Sequence, residues 1–156
     1  GIVVNGKVIN GKHGIAGEWG HNFLDISGGK CYCGKTGCVE TVISGKSLER
    51  FFEQEKGHFL KLKEIVRLHI EDNDPIATKT VNRLLEMFGK AISNVINILD
   101  PDAIVLGGGV GNIDLLYTKG KEEIKKHLFN PYLHTKILKP SLGDSAGVFG
   151  AAMLVQ

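Results

Sequence analysis

The 156 residues carry 19 Lys and Arg against 17 Asp and Glu, and 42% of the chain is hydrophobic. That balance describes one folded domain with a sizeable core and excludes an intrinsically disordered chain. A formal charge of +2 with dispersed lysines excludes a nucleic-acid surface, and no apolar run is long enough to span a bilayer.

Three cysteines cannot make a disulfide framework, and no secretory signal pattern precedes them. A reducing, cytoplasmic setting is therefore expected. The chain opens on apolar Ile2, Val3 and Val4 with no polar lead-in, so we expect a further N-terminal part. Asn5-Gly6 sits between two apolar runs and is the pair that a type I′ hairpin turn requires. The hairpin leads into a loop spaced by Gly11, Gly14, Gly17 and Gly20.

That loop carries Glu18-Trp19-Gly20-His21. A carboxylate and an imidazole three residues apart can both face a polar ligand, because the first accepts hydrogen bonds from hydroxyls and the second can donate one. Residues 21–40, HNFLDISGGKCYCGKTGCVE, hold all three cysteines. Cys31, Cys33 and Cys38 with His21 form the Cys3His set that a tetrahedral structural zinc prefers, and Gly34 and Gly37 allow tight turns between the sulfurs. The spacing is not that of a standard zinc finger, and three ordinary thiols are the alternative. A histidine with one ring nitrogen on a metal keeps the other for a ligand. Glu40, two residues after the last cysteine, can be aimed at the same place; Glu18 and Glu40 are otherwise solvated loop carboxylates.

Beyond Cys38 the pattern turns helical. A short helical turn is expected over 39–44, broken at Gly45, then a helix over 47–56 with Leu48, Phe51 and Phe52 on one face and Gly57 at its end. Residues 60–70 are amphipathic, and His58 and His69 read as ordinary surface or boundary histidines. The longest helix runs from Pro75, after an Asp74 cap, to Leu99. Its stripe of Val81, Leu84, Leu85, Phe88, Ile92, Val95, Ile96 and Leu99 is a core face.

Asp100-Pro101 stops that helix, and 102–106 reads as a buried strand of the parallel type running into Gly107, Gly108 and Gly109. A glycine run at the end of such a strand, followed by a helix at about Asp114, is where α/β sheets bind nucleotides or phosphates; a plain tight turn is the alternative. The pattern is neither a P-loop nor GxGxxG. A helix over 122–129, a strand over 135–138 and a small-residue helix from Ser145 to Ala152 complete a single domain without repeats.

GEWGH at 17–21, CYCGKTGCVE at 31–40 with the following TVISG, and DPDAIVLGGG at 100–109 together resemble the ROK family of sugar kinases and related repressors. The resemblance spans nearly the whole chain. The cysteine block is specific to that family, whereas the glycine strand end is shared among actin-like ATPases. The resemblance implies an α/β fold of the actin-like, ribonuclease H-like ATPase type with a zinc-clamped loop. It places structural zinc on His21, Cys31, Cys33 and Cys38, sugar on Glu18, His21 and Glu40, and nucleotide against Gly107, Gly108 and Gly109.

The intact glycine strand end is similar to the family's kinases rather than its repressors. CYCGKTGC leans toward glucose and N-acetylhexosamine kinases, with N-acetylglucosamine kinases resembled most. Neither the DxGGT-type phosphate loop nor the catalytic aspartate of such kinases occurs here. Residues 1–156 therefore resemble a C-terminal lobe, with no catalytic base of its own, joined to an N-terminal lobe of the same protein. The implied activity of the whole is ATP- and Mg²⁺-dependent phosphorylation of the sugar 6-hydroxyl, with homodimers common in the family. The alternative is the effector-binding lobe of a sugar-responsive repressor.

Overall fold

The computed structural model describes residues 1–130, 132–143 and 152. The chain divides into two units, Gly1–Val42 and Ile43–Gln156. In the first, β1 (Val3–Val4) pairs antiparallel with β2 (Lys7–Val8). Asn5 and Gly6 both take positive φ, 51° and 73°, as the expected type I′ turn demands. One-turn 3₁₀ helices follow at Trp19–His21 and Ile26–Gly28, the second capped by Asp25, whose carboxylate accepts from the Ser27 N–H. The short helix α1 (Val39–Ile43) follows, and the boundary between the units falls before its last residue. Gly28 is a close-approach glycine, because a Cβ there would lie 2.5 Å from Thr41 Oγ1 and 2.7 Å from Val42 Cγ2.

The second unit is built around α4 (Pro75–Leu99), with bounds as the sequence predicts. Asp74 accepts hydrogen bonds from the backbone N–H groups of Ile76 and Ala77, and Pro75 occupies the first turn where its missing N–H costs nothing. Asp100, at φ 43°, turns the chain away and donates its N–H to the Ile96 carbonyl. Val81, Leu84, Leu85, Phe88, Ile92 and Ile96 are buried as expected, whereas Leu99 is exposed. Thr80 and Ser93 are buried too, their hydroxyls satisfied by the α4 carbonyls of Ile76 and Lys90.

Two helices lie against α4 on its N-terminal side, α2 (Gly45–Lys56) and α3 (Leu62–Glu71). Their junction is a cluster of Phe52, Ile65 and Ala77, with Leu60, Leu68 and Ile76 packed around it. Phe52 and Ile65 have no solvent exposure, and each contributes about 1.5–3 kcal/mol by leaving water. The break after α1 falls at Ser44 rather than Gly45. Ser44 is extended and its Oγ accepts from the Ser47 N–H, so the cap starts α2 at Gly45, two residues earlier than the expected 47. Gly57 ends α2 in the left-handed conformation, as predicted. His69 donates to or accepts from Thr78 Oγ1 at 2.9 Å and His58 meets the Phe52 ring edge, so both are structural histidines.

Further along, β3 (Ala103–Val105) pairs in parallel with β4 (Lys136–Leu138). The parallel pairing agrees with the sequence, but the expected burial does not. Val105 and Leu138 are 58% and 42% exposed, because among the described residues the sheet has only these two strands. The helix expected at about Asp114 is a 3₁₀ turn, Asp114–Tyr117, and the next helix is α5 (Lys119–Lys125) rather than 122–129. α5 packs on α4 through two glycines: Gly120 faces the Phe88 ring and Gly89 faces Glu123. The small-residue helix expected from Ser145 lies outside the described residues, apart from Ala152, which is helical. Among the described residues no helix is long and apolar enough to cross a membrane.

Candidate functional site

The cysteine block folds into a loop held by its own backbone. Isolated bridges join Phe23 to Cys38 and Lys30 to Thr36, antiparallel in both cases. The Cys31 N–H donates to the Lys35 carbonyl at 2.8 Å, and the Gly34 N–H returns to the Cys31 carbonyl at 3.0 Å. Gly37 takes φ 77°, and a Cβ there would lie 2.6 Å from the Asp25 carbonyl oxygen. Glycine is thus required by conformation and by space together.

This loop brings the four expected donor side chains together. The Sγ atoms of Cys31, Cys33 and Cys38 and a ring nitrogen of His21 all lie within 4.8 Å of one another. Cys33 Sγ is 3.6 Å from Cys38 Sγ, and Cys31 Sγ is 3.5 Å from His21 Nδ1. A tetrahedral ion with bonds of about 2.3 Å to sulfur and about 2.0–2.1 Å to nitrogen would set these edges at about 3.8 and 3.5 Å. The donor set and these two edges are therefore compatible with a four-coordinate zinc.

The sulfurs differ in environment. The hydrogen bond from the Lys35 backbone lowers the Cys33 thiol to about 7, with neighbouring Cys31 and Cys38 adding to the effect. Burial, then the two other sulfurs, pushes the Cys38 thiol up to about 11. A metal cation among them is the charge that would let all three ionise.

With Nδ1 turned to the Cys31 sulfur, Nε2 of His21 faces the opposite way. It lies 3.9 Å from a carboxylate oxygen of Glu18 and 3.9 Å from one of Glu40. Glu18 reaches this point as the residue before the 3₁₀ turn Trp19–His21, and Glu40 from the first turn of α1. All three residues expected to hold sugar therefore converge on one atom. A gap of 3.9 Å is too long for a direct hydrogen bond, and an oxygen can touch both sides only from beside the line that joins them. Sequence reasoning missed Tyr32, whose hydroxyl is 2.8 Å from the same Nε2. Its only signal was its place between two of the cysteines.

In the second unit, Gly107, Gly108 and Gly109 are exposed, and a Cβ at any of them would meet nothing within 4 Å. Gly108, at φ 77° and ψ 177°, takes a conformation other residues avoid, and a 3₁₀ turn, Gly109–Asn112, follows. The Tyr117 hydroxyl donates to the Gly111 carbonyl at 2.6 Å and holds the end of that turn. The strand end is therefore bare backbone open to a ligand, leading into a 3₁₀ turn where an α-helix was expected.

Known proteins resemble this chain in sequence and in fold. The N-acetyl-D-glucosamine kinase of Histophilus somni (strain 129Pt) is 38% identical over 165 residues, which cover 99% of this chain and 54% of that protein. A ROK family glucokinase from Streptomyces griseus, solved in complex with glucose and AMPPNP, superposes with a TM-score of 0.84 at 27% identity over 97% of this chain and 55% of that one. A ROK family transcriptional regulator, a homolog of the E. coli MLC protein, superposes with a TM-score of 0.73 at 28% identity over 89% of this chain and 38% of that one. The chain spans about half the length of the curated relatives it matches. The family model for ROK matches all of residues 1–156, and with the mixed helix-and-sheet architecture described above, the chain belongs to the ROK family.

Proposed function

We propose that this chain is the C-terminal lobe of an ATP-dependent sugar kinase that phosphorylates the 6-hydroxyl of N-acetylglucosamine or glucose. The observation that carries the reading is the convergence of Glu18, His21 and Glu40 on a single nitrogen whose ring is anchored through its other nitrogen. His21 donates its Nε2–H to a sugar hydroxyl oxygen, and the carboxylates accept that hydroxyl's proton and its neighbour's. Charged acceptors strengthen these bonds, and neighbouring hydroxyls with fixed spacing are a pattern that few ligands other than sugars offer.

Zinc on His21, Cys31, Cys33 and Cys38 would supply rigidity to the loop; four protein ligands leave it no open position for chemistry. Gly107, Gly108 and Gly109 present backbone to the nucleotide, where side chains would keep it away. Mg²⁺ would neutralise the ATP phosphates. The phosphoryl group passes from ATP to the sugar 6-oxygen, and the hydroxyl proton goes to a base outside these residues. The contribution of Glu18, His21 and Glu40 is to hold the pyranose in a fixed orientation, which lowers the entropic part of the barrier. The N-acetyl-D-glucosamine kinase and glucokinase relatives support this reading.

The likeness to a ROK transcriptional regulator supports a second reading, a sugar-sensing effector lobe. ADP release separates the two. The full-length protein is assayed with ATP, Mg²⁺ and a panel of glucose, N-acetylglucosamine, N-acetylmannosamine and fructose. Turnover with N-acetylglucosamine or glucose is expected. Silence with every sugar, while one of them raises the melting temperature, would replace the kinase with the regulator.

A further inference from the structure

Tyr32 has no role in the assignments above. It stands between Cys31 and Cys33 with 83% of its surface exposed. Even so, its hydroxyl lies 2.8 Å from His21 Nε2, and its ring meets the imidazole edge-on, with centroids 5.0 Å apart at 90°. The loop gives the tyrosine no burial to hold it there. The contacts with His21 hold it.

With a metal held on Nδ1 of His21, the ring proton would sit on Nε2, so the imidazole would donate and the phenol oxygen, 2.8 Å away, would accept. That is the bond the proposed function gives to a sugar hydroxyl. A phenol oxygen and a sugar hydroxyl oxygen are equivalent acceptors, and one N–H cannot serve both at full strength. The carboxylates of Glu18 and Glu40 each lie 3.9 Å from the same Nε2.

We propose that Tyr32 is a displaceable latch whose hydroxyl fills the sugar-hydroxyl position beside His21 in the sugar-free protein and must rotate away before a pyranose can bind. The inference rests on the assignment of Glu18, His21 and Glu40 to sugar. An exposed tyrosine can leave by rotation about two torsions, and a metal on Cys31 and Cys33 would hold the backbone on both sides of it. The latch keeps the His21 nitrogen paired with an oxygen while no sugar is bound. Its cost is affinity, since sugar binds only the open fraction.

The test compares the full-length, metal-loaded protein with its Tyr32→Phe variant, which keeps the ring and removes the acceptor. Without sugar, exchange of the His21 Nε2–H with water is followed by NMR. Faster exchange in Tyr32→Phe is expected, and equal exchange overturns the latch. Titration with N-acetylglucosamine and glucose is then expected to show about 2- to 12-fold tighter binding by Tyr32→Phe, the worth of one ordinary hydrogen bond, at equal metal content. Unchanged binding overturns the proposal, and weaker binding overturns it by making Tyr32 a sugar contact. A wild-type protein that binds no sugar at all would instead refute the sugar assignment beneath it, and that result is read from the wild type alone.

Discussion

His21 Nδ1 lies 3.5 Å from Cys31 Sγ, and that one contact decides which ring nitrogen is left for a ligand. Cluster and carboxylates therefore share a residue, and their properties must be coupled. In the full-length protein, His21→Ala, Cys33→Ser and Cys38→Ser are each expected to lower bound zinc, measured by elemental analysis, and to lower the melting temperature. Unchanged metal content and melting temperature in all three would remove the metal from the account.

Glu18 lies 3.9 Å from His21 Nε2, the ring nitrogen turned away from Cys31. Glu18→Gln is expected to weaken sugar binding about 10- to 100-fold, the range for losing a hydrogen bond to a charged group, while zinc stays bound. Calorimetry and elemental analysis on the same sample read both quantities. Loss of zinc together with sugar affinity would show that Glu18 supports the loop rather than the ligand.

Gly89 sits mid-helix in α4, where alanine would ordinarily stabilise by about 1 kcal/mol. Here a Cβ would lie 2.6 Å from Glu123 Cβ and 2.7 and 2.8 Å from its backbone carbon and oxygen. Backbone cannot give way without moving α5 off α4. The overpacking penalty of about 1–3 kcal/mol should therefore outweigh the propensity gain, and Gly89→Ala should lower the urea midpoint. A raised midpoint would show that α5 is free to shift.

The Asp74 carboxylate is held below its ordinary value of 3.8, first by the Lys56 ammonium 2.5 Å away and then by the α4 N–H groups. A carboxylate with a lower folded than unfolded pKa stabilises the fold above about pH 4, and this contribution disappears as the pH falls through the folded value. Thermal melts from pH 6 down to pH 2 should thus show acid destabilisation that is smaller in Asp74→Asn. An identical acid profile for the variant would assign the effect to other groups.

Much of the candidate site was legible because its chemistry is compositional. Three cysteines and a histidine among glycines are a donor set before they are a structure, and Glu18 and Glu40 are tied to it by a few residues of chain. Tyr32 was not legible, because nothing about a tyrosine between two cysteines says which atom its hydroxyl will touch. The openness of Gly107, Gly108 and Gly109 was expected, but the 3₁₀ turns after them were not. Gly111 is buried with Leu106 packed against it, a close approach made by residues five apart that periodicity does not encode.

By itself the sequence determined what local physics controls. Positive φ at Asn5-Gly6, the Asp74-Pro75 start and Asp100 stop of α4, and the left-handed end of α2 at Gly57 all depend on neighbours within one turn. Tertiary structure alone decided which nitrogen of His21 faces the sulfurs, how close α5 comes to α4, and how much of β3 is covered. Each of these depends on atoms brought together from distant parts of the chain, and a hydrophobic run such as 103–106 says that a strand will form without saying what will lie against it.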